Sequence, residues 1–110
     1  MLVVEEVALV TVAAYFIGRE VIQMTAAERL VQNGYENVVV FAGEYTYDTA
    51  LVGVTEDERA VYDFDKMVTW MAEHEGVDEL TATEWLDHEL LLGLQEMGPD
   101  GPIILYPLME

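Results

Sequence analysis

From Met24 onward the apolar and polar positions fall into periods that mark successive elements. Thr25-Ala-Ala-Glu28 has the spacing of a capping box, in which the Thr hydroxyl and the Glu carboxylate each satisfy an orphan amide of a first helical turn. Gly34 follows as a stop, so a short helix is predicted over 26–33. A β-branched run covers 37–41, and 45–54 alternates through Tyr47, Thr49, Leu51 and Val54. After the polar turn 55–58, residues 59–62 resume the strand pattern. Together these predict an antiparallel three-stranded meander over 37–62.

The period then changes. Phe64, Met67, Val68 and Met71 stand at i, i+3, i+4 and i+7, one face of a helix over 64–75, with Asp63 or Asp65 to cap it and Gly76 to end it. Thr81-Ala-Thr-Glu84 is a second capping box, with Leu80 and Trp85 at the positions of a hydrophobic staple. It predicts a helix that starts at Thr81 and runs to Leu92 or Leu94. The turn signal of Gly98 to Pro102 precedes a last strand at 103–106. The expected fold is α+β: a small antiparallel sheet of three to four strands packed by about three helices, in one acidic domain over 24–110.

Residues 7–17 form an uncharged apolar run, about half of the roughly 20 residues a membrane-crossing helix needs. Glu5 and Glu6 precede it where a signal peptide would carry bases. The segment 1–23 is therefore expected to be a strand or helix of the fold, or an appendage to it.

Charge changes the picture most. The 110 residues hold 22 Asp and Glu against 4 Lys and Arg, a formal net charge of -18, while 53% of the chain is hydrophobic. The hydrophobic share predicts a folded domain, and the charge predicts a self-repelling surface that attracts basic partners. Such a chain is expected as a monomer or small homo-oligomer. Neutralising phosphates takes bases, so direct binding to nucleic acid is excluded, and an anionic membrane is repelled likewise. The absence of Cys removes disulfides and thiolate sites and fits a reducing, cytoplasmic setting.

The stretches Tyr47 to Thr55, Ala60 to Val68, Glu84-Trp-Leu-Asp87 and Pro102 to Pro107 resemble a set of small acidic proteins carried by phages and mobile elements of Firmicutes. The likeness covers about residues 24–108. It implies a setting in which host-defence inhibitors of the anti-CRISPR and anti-restriction kinds are common, and it carries over no functional residue.

Candidate chemistry is sparse. Glu84 and His88 share a helical face at i and i+4, as metal ligands do, but no HExxH is present, and a carboxylate near a His is expected by chance in so acidic a chain. Glu56-Asp57-Glu58 with Asp63 and Asp65 lacks the spacing and glycine of an EF-hand loop. Phosphate-cradling glycine loops are missing, and there is no Ser to act as a nucleophile. No catalytic residue, metal or cofactor is assigned. The densest acidic stretch, Glu73, Glu75, Asp78, Glu79, Glu84, Asp87 and Glu89, contains no Lys or Arg and is the expected surface for a basic, nucleic-acid-binding protein, as carboxylates on paired helices imitate a nucleic-acid backbone. Trp70 lies off the apolar face of its helix and is either an anchor for that partner or filler at the core's edge. The alternatives are a surface adapted to high salt without mimicry, and a small enzyme or ligand module.

Overall fold

The computed structural model describes Phe16–Ile17, Glu20–Val21 and residues 24–109. The chain forms two compact units, 1–36 and 37–110. In the first, β1 (Phe16–Ile17) pairs antiparallel with β2 (Glu20–Val21). The rest of the apolar run over 7–17 lies outside the described residues. α1 (Ala26–Gln32) starts on the expected capping box: Thr25 Oγ1 accepts from the Glu28 amide at 3.1 Å, and the Glu28 carboxylate accepts from the Thr25 amide at 2.9 Å.

The second unit holds a short 3₁₀ turn (Asp48–Ala50), β3 (Leu51–Val54), β4 (Ala60–Asp63), α2 (Phe64–Glu75), α3 (Glu79–Met97) and β5 (Ile103–Leu105). It is α+β, with sheet order β3-β4-β5. β3 and β4 are antiparallel with an irregularity between Leu51 and Gly53, where the absent side chain suits a bulge. β5 runs parallel to β4, pairing Val61 with Ile103 and Asp63 with Leu105, so the sheet is mixed and not antiparallel as expected. Parallel neighbours need a long crossover, and α2 and α3 provide it; strand direction is set by that tertiary path and leaves no local mark in the sequence.

The run 37–41 forms no strand: Asn37 lies in a bend, and the run pairs with no strand among the described residues. Packing of one ring replaces the ladder: Phe41 sits edge-on to Tyr47 at 5.2 Å and to Tyr62 at 4.9 Å. Tyr47 takes a left-handed conformation (φ 50) just before the 3₁₀ turn, which breaks the strand predicted over 45–54 and leaves only its last four residues in the sheet.

Alternation along β4 buries Ala60 and Tyr62. The expected face of α2 buries Met67, Val68 and Met71, and α3 packs on α2 with Ala82, Leu86 and Leu90 buried at four-residue spacing. No helix among the described residues is long and apolar enough to cross a membrane.

α3 begins earlier than its capping box indicated. α2 ends at Gly76, which adopts φ 70 and returns its amide to the Ala72 carbonyl at 2.8 Å. Only Val77 and Asp78 then join the helices. Asp78 is the cap, its Oδ1 accepting from the Thr81 amide at 2.7 Å. Asp caps at least as well as Thr, and starting there adds a turn of backbone hydrogen bonds beginning with the Ala82 amide to the Asp78 carbonyl. Thr81 is thus inside the helix. The staple does not form either, since Leu80 is 72% exposed.

The amide of Thr81 holds the Asp78 carboxyl below the usual range. A depressed folded value means the stabilisation is present above about pH 4, the ordinary Asp value, and is lost as pH falls through the lowered one. Asp78→Ala should lower the melting temperature by a few degrees at neutral pH, and the difference should fade on acidification. Thr81→Ala should change little. The reverse ranking in a melt of the two variants would place the cap at Thr81.

Candidate functional site

Two regions of the second unit bring polar chemistry together. The first is the outer surface of α2 and α3. Glu73, Glu79, Glu84 and Asp87 are exposed, and none of the seven acids of 73–89 pairs with a Lys or Arg among the described residues. They do not form one face. Glu84 and Asp87 stand about 60° apart round α3, whereas Glu89 lies about 140–160° from both and turns toward the loop before the 3₁₀ turn. Asp78 is taken up by its cap, and Glu75 faces His74. Of the few bases, Arg59 points inward, its Nε donating to the Gly101 carbonyl at 2.9 Å, and Lys66 stands in the first turn of α2.

The second region is an aromatic cluster beside a groove. Trp70 and His74 are one turn apart on α2, which stacks their rings at 4.6 Å and 12°. Tyr45 meets both edge-on, at 6.5 and 5.6 Å, and Tyr47 leans on Trp70 at 5.0 Å. Trp70 is therefore half-buried and held by neighbours on three sides. The adjoining groove, about 350 Å³, is lined by Val40, Phe41, Tyr45, Tyr47, Leu90 and Met97, with Glu44, Glu89 and Glu96 among the charged groups along it.

The charges are felt by the phenols. The Tyr45 hydroxyl is pushed up, first by desolvation and then by the carboxylates of Glu44 and Glu75. Burial, and after it Glu89, pushes Tyr47 well above the usual tyrosine range. Both rings stay neutral at physiological pH, but Tyr47 is buried in the core, so Tyr45 is the one that offers part of a π face and a hydroxyl under a negative field. That combination suits a guanidinium or ammonium group, whose stem packs on the ring while its charge meets the carboxylates.

Near the cluster, His74 Nε2 lies 3.7 Å from Glu44 Oε2 and 3.7 Å from Glu75 Oε2. Among the described residues these three make up the set whose donor atoms converge, all within 4.8 Å of one another. Glu84 and His88, the pair weighed from spacing, are not in it. Glu44 is far from His74 in sequence and left no motif; only the Trp70–His74 spacing was there to be read. The Glu56-Asp57-Glu58 turn borders a second hollow with Asn37, Val39 and Asp100, and its Asp57 accepts from the Thr55 hydroxyl, which lowers the Asp57 carboxyl. No family model, no curated protein and no solved structure matches this chain.

Proposed function

We propose that this chain is a non-catalytic acidic binding protein that docks on a basic, nucleic-acid-handling protein in the place nucleic acid would take, and inhibits it. One observation carries the reading: the exposed carboxylates of Glu73, Glu79, Glu84 and Asp87 on paired helices meet no Lys or Arg among the described residues. Unpaired charge at that density costs the folded state self-repulsion, and a cationic groove relieves it. The mobile-element setting implied by the resemblance agrees with an inhibitor of host defence. The groove beside the part-exposed Tyr45, with Glu44, Glu89 and Glu96 along it, adds a place for a partner's Arg or Lys, and the Tyr45 ring is braced edge-on by the half-buried Trp70.

The test is capture from a bacterial lysate on the immobilised protein at about 0.05 M salt, with elution near 0.5 M and, separately, with duplex DNA. Nucleic-acid-binding proteins released by salt and displaced by DNA are the expected result. Partners indifferent to both would contradict mimicry. A chain that unfolds at low salt and recovers in molar potassium chloride would instead support adaptation to high salt.

A further inference from the structure

We propose that Glu44, His74 and Glu75 form a binding site for one divalent transition-metal ion of the zinc class. Three donors converge: the imidazole Nε2 and one oxygen from each carboxylate. Both Nε2–oxygen distances are 3.7 Å, too long for the imidazole to share a proton with either carboxylate in a good hydrogen bond. They are close to the spacing of about 3.3–3.5 Å that donors take when each lies 2.0–2.1 Å from a tetrahedral ion. A nitrogen with two carboxylate oxygens suits zinc, cobalt or nickel better than calcium or magnesium, which prefer oxygen alone.

The surroundings favour a cation and hold the ligand still. His74 is fixed by its stack on Trp70 and by the edge of Tyr45, so little rotamer freedom is lost on binding. His74 and Glu75 are the last two residues of α2, where the partial negative charge of the helix end adds to that of the carboxylates. Glu44 comes from the loop before the 3₁₀ turn, so the ion ties that loop to the end of α2. Three protein ligands leave a fourth position toward solvent, open to water or to a donor from a partner.

The site is tested on the full chain by calorimetric titration with zinc at about pH 7.5, in about 0.2 M salt so that diffuse attraction to the acidic surface is screened. Cobalt follows the geometry through its visible spectrum, and nickel is read through quenching of Trp70. One equivalent should bind, raising the melting temperature by about 10 °C at a hundredfold excess over Kd. His74→Gln and Glu44→Gln should each weaken zinc binding at least about tenfold, Glu44→Gln with its metal-free melt unchanged, whereas His88→Gln should bind as the parent does. Glu44 is in an exposed loop, so its variant tests the site even if His74→Gln is destabilised. Loose uptake of several ions that higher salt removes, equal affinity in all three variants, or no binding would each overturn the proposal.

Discussion

Leu86→Ala should cost about 3 kcal/mol of unfolding free energy and lower the melting temperature by roughly 10 °C. Leu86 is fully buried at the centre of the apolar stripe of α3, between Ala82 and Leu90, where α3 packs on α2. Removing its three carbons forfeits their transfer free energy and leaves a cavity that the neighbouring side chains fill only in part. Met67 and Met71 on α2 are buried as well, and methionine adjusts its shape readily, so the loss should fall in the lower half of the usual 2–5 kcal/mol range. Against a total stability of about 5–15 kcal/mol, that is a large fraction. Leu91→Ala is the control: it lies on the same helix, directly after the buried Leu90, but is 64% exposed, and it should change stability by less than about 0.5 kcal/mol. Denaturant melts of the two variants decide the point, and equal losses would show that the core does not run through Leu86.

The elements legible in the sequence are those whose signals are local. The box at Thr25 and Glu28 specifies its helix through hydrogen bonds three residues apart, and the period of Met67, Val68 and Met71 together with the Asp63 cap specifies α2. At α3 the box at Thr81 is overridden by the Asp78 cap, which stands two residues past the Gly76 where α2 ends. What failed was non-local. Val38, Val39 and Val40 have every mark of a strand, yet a strand needs an edge to pair with, and Phe41 anchors this segment through its ring instead. The parallel pairing of β5 with β4 belongs to the same class.

The candidate site divides in the same way. Exposure of Glu84 and Asp87 follows from helical period, and so does the stacking of Trp70 on His74. That Glu89 faces away from Glu84 follows from the same period, whereas that Glu44 reaches His74 and that Asp78 gives its carboxylate to a cap are products of the packed structure.

On the proposed function, the carboxylates of α2 and α3 that meet no Lys or Arg among the described residues drive association with a basic partner. The most direct test uses acids whose side chains make no hydrogen bond or ion pair among the described residues: Glu73→Gln, Glu79→Gln, Glu84→Gln and Asp87→Asn combined. Asp78 is left in place because it caps α3, and Glu75 because it faces His74. Each replacement keeps size and removes one negative charge; the fall in self-repulsion is offset by the lost first-turn charge of Glu79, so the melting temperature should change by no more than a few degrees. The association rate with a captured partner, measured by stopped flow from about 0.05 to 0.5 M salt, should drop about tenfold at the low end. The two proteins should converge as salt screens the field. Equal rates for variant and parent at low salt would contradict the claim and leave these helices a solvated surface.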